Sequence, residues 1–99
     1  MLKQARVYII GDVIGVGFRA WTKIQAKILQ VKGWVRNNYE RPEVFGRSGG
    51  VEALLQAEEE TIAKMVDTLK EGPPVSRVED VQIFPEEPKE ILDIFEIIK

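Results

Sequence analysis

Residues 6–20 read RVYIIGDVIGVGFRA, and the fold depends on where this stretch is divided. Arg6 to Ile10 is β-branched and aromatic, the composition of a buried strand, and Gly11 follows it directly. Gly11, Gly15 and Gly17 then lead into Phe18 and Arg19, from which FRAWTKIQAKILQV continues to Val31 with neither proline nor glycine. That segment predicts a helix closed by Gly33. A strand that passes through glycines into a helix has two readings. Positive φ angles for a tight turn account for the glycines and leave Arg19 a solvated surface residue. Alternatively, successive backbone N–H groups at a helix N-terminus cradle a phosphate or carboxylate, and the planar guanidinium of Arg19 grips two of its oxygens. Arg19 stands in the first helical turn, where the dipole disfavours a cation, and a residue placed against its local preference points towards function. The loop is not a Walker A loop, since no Gly-Lys-Ser/Thr follows, and GVGFRA lacks the third glycine of a dinucleotide fingerprint.

Working outward, WVRN at 34–37 reads as a short strand. NYERPEVFGRSGG at 38–50 mixes turn formers with Tyr39, Val44 and Phe45, which suggests an extended β-hairpin connection or flap with room for a short strand of its own. VEALLQ at 51–56 is the next strand. The segment from Glu58 then puts Ile62, Met65, Val66 and Leu69 on one helical face, with glutamates at its start, Lys70 near its end, and Gly72, Pro73 and Pro74 to stop it. VEDVQIF at 78–84 and DIFEII at 93–98 read as strands joined by the acidic link PEEPKE. The order is β-α-β-β-α-β plus a short C-terminal strand. This is an α+β, ferredoxin-like split βαβ sandwich, with two helices on one face of a mostly antiparallel sheet.

Ninety-nine residues with 44% apolar content suit a single domain, 1–99. Fourteen basic residues against sixteen acidic ones leave a net charge of -2, which disfavours broad attraction to nucleic acid. Nor do VYIIG and VEALLQ carry the paired aromatics of an RNA-binding sheet, so no nucleic-acid partner is expected. The chain contains no cysteine and no histidine, which removes thiolate catalysis, the commonest general base and the commonest metal ligands; no metal or other cofactor is expected. MLKQARVYII is too short an apolar run for a signal peptide or a membrane span, so the expectation is a cytoplasmic protein with no membrane partner.

GDVIGVGFR resembles the acylphosphatase signature Gly-x-Val-Gln-Gly-Val-x-Phe-Arg, which joins the first strand to the first helix in that family. GWVRN at 33–37 resembles the second signature, GGVEALLQAEEE the strand and helix start that follow it, and GPPVSRVEDVQI and FEII the closing segments. The likeness therefore runs from about Arg6 to Ile98. It implies hydrolysis of carboxyl-phosphate mixed anhydrides to a carboxylate and inorganic phosphate, without a metal or a covalent intermediate. It further implies that the backbone of Gly15, Val16, Gly17, Phe18 and Arg19 and the Arg19 guanidinium hold the phosphoryl group, while Asn37 positions the attacking water. Taken alone, without the resemblance, Asn37 reads first as a strand-end residue bonding its own turn. Arg36, by strand alternation, faces the other side of the sheet and is not assigned to the site.

Three departures from the family pattern stand out. Ile14 replaces the signature glutamine and can neither donate nor accept a hydrogen bond. The connection from Asn38 to Gly50 is longer than the family's, which leaves open whether Tyr39, Arg41, Phe45 and Arg47 reach over the pocket, meet a partner, or form a solvated tip. On the first helix, the stripe Phe18, Thr22, Ala26 and Leu29 matches the family core, yet Trp21, Ile24, Ile28 and Val31 make a second apolar stripe. That second stripe is read either as a wider core or as a weak homodimer contact. The alternative function is a weak or inactive acylphosphatase-like module that binds an anion or serves assembly.

Overall fold

The computed structural model describes residues 1–99. Its elements are β1 (Leu2–Asp12), α1 (Phe18–Leu29), β2 (Lys32–Asn38), α2 (Pro42–Phe45), β3 (Gly50–Glu58), α3 (Glu59–Glu71), β4 (Arg77–Glu86) and β5 (Phe95–Ile97). The five strands form one sheet in the order β4-β1-β3-β2-β5. All neighbouring strands are antiparallel except β2 and β5, which run parallel. The sandwich is α+β and ferredoxin-like, as the strand and helix order predicts. No helix is long and apolar enough to cross a membrane.

Strand alternation divides the sheet into two unlike faces. Ala5, Val7 and Ile9 of β1, Val35 of β2, and Val51, Ala53, Leu55 and Ala57 of β3 point towards the helices and join Phe18 and Ala26 of α1 and Met65, Val66 and Leu69 of α3 in one buried core. Each large side chain of this set contributes roughly 1.5–3 kcal/mol by leaving water. The other face carries Arg6, Tyr8, Trp34, Arg36, Glu52, Leu54 and Gln56, brought side by side by the register Arg6–Leu54, Tyr8–Glu52 and Arg36–Glu52. β3 is buried on both sides because it is the central strand and because α2 and the segment after β4 fold back over this second face. Gln56, 1% exposed, shows how: its Nε2 donates to Gln4 and to the Glu90 carbonyl, and its Oε1 accepts from the Leu92 amide at 2.8 Å.

Three local expectations change. The first helix ends on Gln30, not on Gly33. Gln30 takes the left-handed conformation at φ 60, and the Val31 amide returns to the Ala26 carbonyl at 2.8 Å, a Schellman-type closure that buries Val31. Gly33 lies inside β2 instead, where a Cβ would run into the Leu54 carbonyl. The 38–50 connection holds a helical turn, α2, where a short strand was allowed for, because Pro42 starts a turn that buries Phe45. The last strand contracts to three residues anchored by Phe95.

On α1 the stripe Phe18, Thr22 and Ala26 is buried, with the Thr22 hydroxyl satisfied by donating to the Phe18 carbonyl at 2.8 Å. The second stripe splits. Trp21 packs edge-on against Phe18 and Val31 is buried, but Ile24 and Ile28 are 57% and 67% exposed.

Candidate active site

The loop between β1 and α1 starts at a break in register. The β1–β4 ladder shifts between Ile10 and Gly11 and then continues through Gly11–Val78 and Asp12–Arg77, a bulge that bends and twists the strand end without unpairing it. Gly15 and Gly17 then sit at φ +76 and +78, and a Cβ on either would meet nothing within 4 Å. Backbone conformation, not crowding, calls for glycine here, and the space above the loop is open. Gly17 caps α1 with no side-chain bond to the helix start, and no acidic residue lies in the first turn. None of the amides of Ile14, Gly15, Val16 and Gly17 donates to a backbone carbonyl, and those of Phe18 to Ala20 begin the helix, where no intrahelical acceptor exists. The arrangement is a concave set of N–H groups at a positive helix end.

A shallow pocket of about 190 Å³ opens on this loop. Gly15, Gly17, Phe18 and Arg19 line it together with Asn37 and Ile97. Arg19 and Asn37 are therefore brought together from α1 and β2, across a gap of seventeen residues in the chain. Arg19 is half-buried and makes no ion pair with any carboxylate of the protein. Asn37, also half-buried, pairs with Val51 one step before the end of the β2–β3 ladder and donates from Nδ2 to the Tyr39 hydroxyl at 3.3 Å.

The side chains of Ile14 and Val16 point away from the pocket. The Val16 side chain does not line the pocket but packs against the core, as does that of Ile14, so this part of the loop offers backbone alone. Ile97 and Ala20 line the pocket without having been singled out in the sequence. Ile97 arrives through the parallel pairing of β5 with β2, which sets it beside Val35; nothing local in FEII signals this.

The long connection does not roof the pocket. Phe45, 6% exposed, packs edge-to-face on Tyr8 at 5.1 Å, and the Arg41 guanidinium donates to the Tyr8 hydroxyl at 3.0 Å, both on the sheet face away from the helices. Arg47 is exposed and does not line this pocket. Tyr39 is the residue of this connection that bonds to a pocket-lining side chain.

A larger cavity of about 490 Å³ lies on that second face, between Arg6, Leu54, Glu86 and Leu92. The charges that the sheet strands bring to it are already paired. Arg6 donates to Glu52 at 2.6 Å and to Glu86 at 2.7 Å, Arg36 donates to Glu52 at 2.9 Å, and Asn38 Nδ2 donates to the same carboxylate at 2.9 Å. Burial on its own pushes the Glu52 carboxyl up, but the bonds from Arg6, Asn38 and Arg36 outweigh it and hold the group below the usual carboxylate range. The hydrogen bond from Arg6 likewise lowers Glu86, against a smaller opposing effect of burial. Every charge in this cavity that the sheet supplies is neutralised, whereas the 190 Å³ pocket holds an unpaired cation and free amides. The smaller pocket is the candidate active site.

The fold is an α+β sandwich whose glycine-rich strand-to-helix loop leaves a run of backbone amides without internal partners. The acylphosphatase family model matches residues 5–97. An acylphosphatase of Chloroflexus aurantiacus is 38% identical over 97 residues, which cover 98% of this chain and 97% of the relative. One from Pyrobaculum islandicum is 40% identical over 95 residues, covering 96% and 93%. The crystal structure of acylphosphatase from Bacillus subtilis superimposes with a TM-score of 0.85 at 31% identity, over the full length of both chains. The chain belongs to the acylphosphatase family and is an acylphosphatase-type hydrolase.

Proposed function

We propose that the protein hydrolyses small carboxyl-phosphate mixed anhydrides by direct attack of water on a phosphoryl group held in the 190 Å³ pocket, with no metal taking part. The reading rests on one observation: an unpaired guanidinium, a run of unsatisfied amides and a carboxamide converge on a single pocket. The amides of Gly15 to Arg19 and the Arg19 fork bind the non-bridging phosphoryl oxygens and match the charge that spreads over them in the transition state. Asn37 orients the water in line with the bond to be broken. The water oxygen forms a bond to phosphorus and the bond from phosphorus to the acyl oxygen breaks. Its electron pair leaves on the carboxylate, and the proton lost by the water ends on phosphate or solvent.

A carboxylate is a good leaving group, so positioning and electrostatics suffice without histidine or cysteine. Ile14 packs inward, so the cradle is built from backbone and the apolar side chain does not intrude on it.

Hydrolysis of an aryl acyl phosphate tests the reading. Turnover that resists chelators and collapses in folded Arg19→Ala and Asn37→Ala proteins supports it. Absence of turnover, together with protection against thermal unfolding by inorganic phosphate, would replace it with the binding-module reading.

A further inference from the structure

We propose that Tyr39 is a positioning residue for Asn37 and that the long β2–β3 connection holds the water-orienting carboxamide in place. This inference rests on the reading of Asn37 given above.

The β2–β3 ladder ends at the pair Asn38 and Gly50. Tyr39 and Gly49 come immediately beyond it. The Tyr39 ring lies against the backbone of Gly49, where an added Cβ would come within 2.5 Å of Cδ1 and 2.9 Å of Cε1. The missing side chain at position 49 is the bed on which the ring rests. From there the hydroxyl accepts the Asn37 Nδ2 hydrogen at 3.3 Å. Asn37 Oδ1 has no partner within the protein, and with one Nδ2 hydrogen committed to Tyr39 this oxygen is the acceptor for a hydrogen of water. A water held through its hydrogen keeps its lone pairs for phosphorus.

The support beneath Tyr39 is firm on both sides. Asn38 is buried, donates to Glu52, and accepts the Glu40 amide at 2.9 Å. Phe45 fills the space that a Cβ on Gly50 would need. The apolar turn of the connection is thus fastened to the open sheet face, and Tyr39 is left at its root beside the pocket. Nothing else in the connection bonds to Asn37.

The test is Tyr39→Phe, which keeps the ring and removes the hydroxyl. One hydrogen bond of about 1 kcal/mol corresponds to a five- to tenfold change, so kcat for an aryl acyl phosphate should fall by about that factor. KM and inhibition by inorganic phosphate should stay within about twofold, because Arg19 and the loop are untouched. In the Asn37→Ala background the same substitution should have no further effect, since a residue acting through Asn37 has nothing left to act on. Gly49→Ala, which displaces the ring, should lower kcat in the same direction. An unchanged kcat in Tyr39→Phe, or an equal loss in both backgrounds, would overturn the proposal.

The side-chain amide resonances of Asn37, assigned by their disappearance in Asn37→Ala, separate this inference from the reading beneath it. If the wild type shows no turnover, the hydrolytic reading falls. The clamp is then judged by whether Tyr39→Phe moves those resonances: a shift supports it and an unmoved pair overturns it.

Discussion

The chain uses arginine in two opposite ways. On the open sheet face, Arg6 and Arg36 surround Glu52, which is 3% exposed, and Arg6 also meets Glu86, so that each of these two cations has a carboxylate within 3 Å. At the mouth of the helix layer, Arg19 sits beside unsatisfied amides with no carboxylate partner at all. One set of charges is closed on itself, and the other is left open to an anion from outside. The difference teaches that in this protein the site is marked less by the number of polar groups than by which of them lack an internal partner. The larger, more highly charged cavity is a structural clamp.

The comparison can be broken most sharply at Arg19. Arg19→Ala should lower kcat/KM for an acyl phosphate by about a thousandfold, close to 4 kcal/mol of transition-state stabilisation, the upper end for one oxyanion donor. Its thermal midpoint should hardly move, because no internal bond is lost. A loss of stability comparable to the loss of activity would show that Arg19 belongs with the other two. The reverse experiment is Glu52→Ala, which removes the carboxylate shared by Arg6 and Arg36 and leaves Arg6 with Glu86 alone. Unfolding in urea should show a loss on the order of 3 kcal/mol, moderated because both arginines keep part of their side chains in water. The molecules that remain folded should retain phosphate binding.

A smaller effect is expected at Gly17. Gly17→Ala places a Cβ in open space but at φ +78, so the cost is the strain of the left-handed region, about 1–2 kcal/mol, and it should appear in stability and in phosphate affinity together. Acid separates the two regions by charge. Glu52 and Glu86 both ionise more readily in the folded state than their ordinary range. The stability they contribute is complete above the unfolded carboxyl value, about 4.3, and is lost as pH falls through the lower folded values. Glu86→Gln should therefore flatten the decline of stability with pH in that acid range, while the wild type and variant run parallel near neutrality. The smallest effect belongs to the exposed stripe of α1. Ile24→Lys should change stability by less than about 0.5 kcal/mol. If the variant also leaves the mass in light scattering unchanged at high concentration, the homodimer expectation drawn from that stripe is set aside.

Most of the fold could be read from the chain because its elements carry local signals. The period of Ile62, Met65, Val66 and Leu69 and the stops at Gly72 and Pro73 predict α3, and the observed helix buries those four residues. The glycines at 15 and 17 announce a loop of positive φ, which the structure contains. What could not be read depended on distant partners. Gln30 closes α1 because Val31 has a core to enter, and Gly33 was the more obvious candidate on composition alone. On α1 both apolar stripes satisfy the helical period, and only the placement of the sheet decides that Thr22 goes inward and Ile24 outward. Ile97 reaches the pocket through a parallel pairing across some sixty residues of chain, a contact without local sign. Tyr39, Phe45 and Arg41 looked equivalent as residues of one long connection, yet one bonds to Asn37 and two turn to Tyr8.

The sequence by itself determined the order of elements and the strand-glycine-helix loop, since these follow from backbone freedom and hydrophobic period along short stretches of chain, while Arg19 and Asn37 were singled out by the resemblance of two motifs. Tertiary structure alone decided which charges stay unpaired. Arg6, Arg19 and Arg36 are chemically identical, and their roles diverge only because the sheet register delivers Glu52 to two of them and nothing to the third. Pairing is a property of positions in space, set by long-range strand alignment, and no local pattern encodes it.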